Sequence, residues 1–138
     1  MGLTVLDASV VIGWLDEDDG HHGVATDALD QAWDRGERFA LPVTALAECL
    51  VGPSRKGPSA VERVRSLIAA APVTSIPISE DIAVESAALR AQFGNRLRLP
   101  DALVVATAIV LDADRLLTTD RRWPHGAALG FEGELEVL

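Results

Sequence analysis

The sequence is poor in cysteine, in aromatic residues and in positive charge. A single cysteine, Cys49, excludes a disulfide framework within the chain. Together with only three histidines (His21, His22 and His125), it speaks against a Cys/His zinc site. This usage fits a reduced, cytoplasmic setting. Aromatic residues make up 4% of the chain, so Trp14, Trp33 and Trp123 read as packing residues rather than base-stacking platforms. Lysine and arginine number 12 against 21 acids, which gives a net charge of −9 and a pI near 4.6. A general electrostatic grip on nucleic acid is therefore not expected. Such chemistry would need a local basic patch or a bound cation. Long hydrophobic runs are missing too. The longest, residues 102–111, is about half a bilayer span. No basic region precedes the first apolar stretch, and Asp7 interrupts it, so no targeting or membrane segment is expected. Internal repeats and low-complexity tracts are also lacking.

What is there is an ordinary globular composition. The 138 residues are 49% apolar and 24% charged. That is enough for one domain, residues 1–138, with its own core. Short β-like runs alternate with helical ones. Strands are expected at residues 3–6, 39–41, 73–78 and 116–118, and an edge strand within 132–138. Helices are expected at 8–15, after Asp7 as N-cap, and at 24–33, with Val24, Ala28, Leu29, Ala32 and Trp33 on one face. Further helices are expected at 43–51, 60–71, 82–93 behind the cap Ser79, and 101–111 behind Pro100. Residues 52–58 read as a flexible loop, because Gly52 and Pro53 punctuate the helix before them. The last helix is apolar nearly all round and should be central. Alternation of this kind implies an α/β fold, with a mainly parallel sheet of four to five strands covered on both faces. Such sheets hold their ligands at the carboxyl ends of the strands.

That rule selects among the acids. Asp7 follows the first strand directly, and Asp120 follows the fourth. Asp101 begins the buried helix, and Glu48 lies one turn and a half into the helix after the second strand. Each has a plainer reading. Asp7 can cap a helix, Asp101 can favour a helix N-terminus, Asp120 is good turn material, and Glu48 can lie on an exposed stripe with Thr44. Taken together, four carboxylates at one edge repel one another unless a cation sits between them. No lysine or arginine lies within a few residues of Asp7 or Glu48. A hard divalent ion, Mg²⁺ or Mn²⁺, takes oxygen ligands of this kind. Phosphodiester hydrolysis is the chemistry it supports.

The run Leu6-Asp7-Ala8-Ser9, then Ala47-Glu48, then Leu99-Pro100-Asp101-Ala102-Leu103, then Thr118-Thr119-Asp120-Arg121-Arg122-Trp123 resembles the PIN-domain toxins of VapBC toxin–antitoxin systems. The likeness spans the chain, in order and with suitable spacing. It implies a three-layer α/β/α PIN-like fold and a metal-dependent ribonuclease acting on tRNA or ribosomal RNA. It also implies a VapB-like antitoxin that blocks the site and carries the contact with operator DNA, and a toxin homodimer. By position, Asp7 and Asp101 would be the principal metal ligands. Glu48 and Asp120 would complete the cluster, and Ser9 and Thr118 would orient the carboxylates. The chain departs from the family where a polar residue often follows the glutamate, since Cys49, Leu50, Val51 and Gly52 stand there.

Arg121 and Arg122 are candidate RNA contacts, with Arg96 and Arg98 near the same edge. Singly, each also reads as a solvated loop residue, as do Arg55 and Lys56. His21 and His22 start a helix after an acidic turn and read as surface residues. Residues 7–34 hold eight acids and no lysine or arginine, a negative face that keeps the protein soluble or attracts a basic partner. The rival function is a binding module whose acidic pocket only receives a basic antitoxin arm. A receiver domain needs a lysine at a late strand end, and the sole lysine, Lys56, lies early. A haloacid-dehalogenase-type phosphatase needs Asp-x-Asp after the first strand, where this chain has Asp7-Ala8-Ser9.

Overall fold

The computed structural model describes residues 2–138. In chain order the elements are β1 (Leu3–Leu6), α1 (Ala8–Leu15), α2 (His22–Asp34), β2 (Arg38–Pro42), α3 (Val43–Lys56), α4 (Pro58–Ala70) and β3 (Val73–Ile76). Then follow α5 (Glu80–Phe93), a 3-10 turn (Gly94–Arg96), α6 (Leu99–Val110), β4 (Arg115–Thr118), α7 (Gly126–Leu129) and β5 (Glu134–Val137). The five strands form one sheet in the order β3-β2-β1-β4-β5. All four pairings are parallel, and Val5 is flanked by Ala40 on one side and Leu116 on the other. This is the α/β/α arrangement expected from the alternation of elements.

The order of strands decides where a ligand can bind. The chain leaves β1 toward β2 and β3, then returns past β1 to β4. Right-handed crossovers therefore cover opposite faces, and the sheet opens at the carboxyl ends of β1 and β4. The central strands are apolar on both faces, as double coverage requires. Val5, Leu6, Ala40, Leu41, Leu116 and Leu117 are all buried. Helix α6 packs against α5 and against β1, β2 and β4. Its residues Ala102, Val104, Val105, Ala106, Thr107 and Ala108 are buried. Thr107 tolerates that burial because its hydroxyl donates to the Leu103 carbonyl at 2.7 Å. Ser79 caps α5 as expected, accepting the Ile82 N–H at 3.2 Å. No helix among the described residues is long and apolar enough to cross a membrane.

Two expectations need correction. Residues 52–58 are not a flexible loop. Helix α3 runs through Pro53 to Lys56, and α4 starts at Pro58. A proline inside a helix forfeits one backbone bond, but α3 packs along α4 and that contact holds the extra turn. The break falls at Gly57, whose φ of 126° suits glycine. The buried face of α2 is also different. It consists of Ala25, Leu29 and Ala32, while Val24 and Trp33 are exposed, Trp33 by 56%.

Candidate active site

Asp7 occupies the N-cap position of α1, yet its side chain makes no capping bond. The carboxylate is committed elsewhere. Ser9 Oγ and Thr118 Oγ1 both donate to Asp7 Oδ2, each at 2.8 Å. Each hydroxyl also accepts a backbone N–H from the loop after β4. Thr119 N donates to Ser9 Oγ at 3.1 Å, and Asp120 N donates to Thr118 Oγ1 at 3.1 Å. The Asp7 N–H donates to the Leu117 carbonyl at 3.0 Å, which carries the β1–β4 ladder one step past the strand. Two hydroxyls thus tie the end of β1 to the loop that carries Asp120. Among the described residues, Oδ1 of Asp7 receives no side-chain donor. Burial pushes the Asp7 carboxyl above its ordinary range, the two hydroxyl bonds pull against this, and the charge of Asp120 adds to the rise.

The other three acids come from three different elements. Asp101 sits in the first turn of α6. Desolvation raises its carboxyl to about 6, with Asp7, Asp120 and Glu48 adding to the rise and Arg122 opposing it. Glu48, on α3, is solvent-exposed, but the surrounding protein and then the charge of Asp7 raise its carboxyl. Asp120 goes the other way. Arg122 forks onto it, Nε to Oδ1 at 3.0 Å and Nη2 to Oδ2 at 3.0 Å, and holds its carboxyl below the ordinary range. The turn reading of Asp120 is also correct, since Oδ1 accepts the Arg122 backbone N–H at 2.9 Å.

All four acids line one cleft of about 520 Å³, together with Ser9, Ile12, His21, Thr119, Arg121 and Arg122. Thr118 lies beneath it, fully buried. The cleft opens at the β1/β4 switch point, where the strand order placed it. Arg98 is near enough to Asp120 to lower its carboxyl. Arg96 instead stacks over Phe93, 6.0 Å from the ring centre. His21 is exposed, as expected, but its place on the cleft wall was not readable from the sequence pattern. The signal lay in the turn before it, where Asp16 and Asp19 accept the backbone N–H groups of Asp18 and His21 and fold the chain back. Cys49, next to Glu48, is a buried thiol pushed up to about 12 by burial and by Glu48 and Asp7, so it is no nucleophile.

The donor set fits a hard divalent cation of a particular kind. Among the described residues, no three His, Cys, Asp or Glu side chains stand close enough to enclose an ion. Yet Asp7, Glu48 and Asp101 are each raised in part by the charge of a neighbouring acid, a repulsion that a bound cation would relieve. Mg²⁺ is commonly held by one or two carboxylates and keeps several waters. Asp7 and Asp101 are two such carboxylates on the cleft wall.

An α/β domain with four acids gathered at a parallel-sheet switch point is the class that fold and site define. The chain belongs to the PIN-domain family, whose profile matches residues 4–129. No curated protein sequence matches the chain. Among solved structures, it is similar to a toxin-antitoxin complex from Klebsiella pneumoniae, at 28% identity over 85% of this chain and 86% of that one, with a TM-score of 0.69. It is also similar to VapBC-5 of Mycobacterium tuberculosis, a member of the VapBC family of toxin-antitoxin systems, at 28% identity over 100% and 98%, with a TM-score of 0.60. A sarcin-ricin loop cleaving VapC toxin from the same organism shares the fold, at 16% identity over 93% and 95%, with a TM-score of 0.67.

Proposed function

We propose that this chain is the toxin of a VapBC-type pair: a Mg²⁺- or Mn²⁺-dependent ribonuclease that hydrolyses RNA of the translation machinery and is held inactive by a VapB-like antitoxin. The convergence of Asp7, Glu48, Asp101 and Asp120 on one cleft carries this reading. The likeness to VapBC complexes supports the antitoxin. The sarcin-ricin loop cleaving relative supports structured RNA, tRNA or ribosomal RNA, as substrate. The chain works in the cytoplasm, as a homodimer, and meets operator DNA through the antitoxin alone.

Each residue has a task in this reading. Asp7 and Asp101 hold the ion, and Ser9 and Thr118 fix the orientation of Asp7. A bound divalent cation supplies Lewis-acid activation of water and charge stabilisation at the phosphate. Glu48 or Asp120 accepts the proton of the attacking water. Arg121 and Arg122 grip RNA phosphates, for which a guanidinium is geometrically matched. A cation also removes the conflict between an acidic protein and an acidic substrate.

Purified protein incubated with a total RNA pool tests the proposal. Discrete cuts are expected with Mn²⁺ or Mg²⁺, and none with EDTA or in Asp7→Asn. A second reading draws on the Arg122–Asp120 fork, which already engages one acid. In that reading the cleft only receives a basic antitoxin arm. Absence of cleavage together with no rise in melting temperature on adding divalent metal would favour it.

A further inference from the structure

His21 and His22 are adjacent in sequence and are held differently. The His22 ring lies with Nδ1 2.8 Å from the Gly13 carbonyl, so it ties the start of α2 to α1. The His21 ring lies on the wall of the carboxylate cleft. Asp19 fixes the backbone at this point. Its Oδ1 accepts the His21 backbone N–H at 2.8 Å and stands 3.6 Å from the ring Nδ1. Among the described residues, Nε2 of His21 makes no hydrogen bond. About half of the side chain is exposed.

The charge arrangement of the cleft gives this ring a role. The arginines lining it, Arg121 and Arg122, both come from the loop after β4. The α1–α2 side contributes none, because residues 7–34 contain neither lysine nor arginine. Of the cleft residues from the first half of the chain, Asp7 and Glu48 repel phosphate, Ile12 is apolar, and the Ser9 hydroxyl is spent on Asp7. An RNA strand laid across the carboxylates carries phosphates on both sides of the one that reacts. Those flanking phosphates position a nucleic acid only where donors meet them. We propose that His21 is an RNA-contacting, positioning residue, its imidazole donating from Nε2–H to a flanking phosphate on the α1–α2 side of the cleft. The proposal rests on the ribonuclease reading above. The ring does not enter the chemical step.

The test uses the full chain and the RNA that the wild-type protein cuts from a total pool. His21→Ala is expected to raise KM by about fivefold to tenfold with kcat within about twofold, the signature of lost binding. His21→Arg, which restores a phosphate donor, is expected to bring KM back. A KM for His21→Ala within about twofold of wild type overturns the proposal. So does a kcat loss at unchanged KM, or a KM defect that His21→Arg leaves in place. A second measurement does not depend on cleavage. In EDTA, a single-stranded RNA of about 20 nucleotides is titrated into wild-type protein while the imidazole ring protons are followed by NMR. The His21 signal is expected to move and that of His22 to stay. A static His21 signal overturns the proposal. If the wild-type protein cuts nothing, it is the ribonuclease reading that fails, and the titration alone decides the role of His21.

Discussion

Thr118 Oγ1 donates to Asp7 Oδ2 at 2.8 Å across 111 positions of sequence, and the same oxygen accepts the Asp120 N–H at 3.1 Å. One buried hydroxyl therefore sets the position of two of the four acids. Thr118→Val keeps the shape and removes both bonds. The half-buried Asp120 N–H is left without its partner, at a cost of about 1 kcal/mol, which a urea denaturation curve will report. Loss of the donor also pushes the Asp7 carboxyl further up, so its affinity for Mn²⁺ should fall about tenfold. Thr118→Ser should recover both. Were Thr118 an ordinary strand residue, the stability would fall and the Mn²⁺ titration would not change.

Asp101 makes the metal-free protein sensitive to pH. Its carboxyl is raised from 3.8 to about 6, chiefly by desolvation. The folded state therefore holds this proton more tightly than the unfolded chain does. The resulting stability is full below 3.8 and is lost as pH rises through about 6. In EDTA the melting temperature should decline across that window, with Asp7 and Glu48 acting in the same direction. Asp101→Asn should flatten the decline and raise the melting temperature at pH 7.5 by about 3 °C, on the order of 1 kcal/mol for a partly exposed group. Mn²⁺ at that pH should stabilise the wild type and not the variant. Equal melting profiles for the two proteins would remove Asp101 from the cluster.

Much of this site was legible because a parallel sheet has few options. A strand followed at once by an acid, at Asp7 and at Asp120, places the acid at the ligand edge whatever the loops do. The hydrophobicity of α6 announced a buried helix and so placed Asp101 at its start. What was illegible depended on contacts between elements. Pro53 punctuates a sequence, but in the fold α3 carries on past it because α4 lies alongside. Trp33 satisfies the helical period and is still exposed, since Leu29 and Ala32 take the core side of α2. His21 reaches the cleft through a turn built from Asp16 and Asp19, and no periodicity encodes that. The fork between Arg122 and Asp120 is likewise a matter of side-chain reach.

Gly133 gives a prediction independent of the cleft. A Cβ built there would stand 2.5 Å from the Ala113 carbonyl oxygen, 2.5 Å from Phe131 Cζ and 2.7 Å from the Asp114 carbonyl oxygen. The phenyl ring can move, but the two carbonyls belong to the chain leading into β4. Gly133→Ala must therefore displace the entry to β5 or strain β4. Destabilisation by about 2 kcal/mol or more is expected in urea. Variant protein that still folds should keep its affinity for Mn²⁺, because the acids belong to other elements. A variant as stable as the wild type would show that β5 shifts freely.

Arg122 should affect metal and RNA in opposite directions. Its fork neutralises Asp120 and keeps both carboxylate oxygens engaged. The pair is exposed on the arginine side, 82% for Arg122 against 21% for Asp120, so its loss should hardly change the melting temperature. Arg122→Ala frees Asp120 to join Asp7, Asp101 and Glu48 around an ion and removes a positive charge from beside it. Mn²⁺ affinity should rise by about threefold, read from the metal-dependent shift in melting temperature. The same substitution deletes a guanidinium from the cleft rim, so KM for RNA should rise by about fivefold and its salt dependence should become shallower. Arg122→Lys should restore part of the RNA affinity but not the bidentate hold on Asp120. Metal and RNA affinities that fall together would mean that Arg122 shapes the loop after β4 rather than sharing Asp120 with the ion.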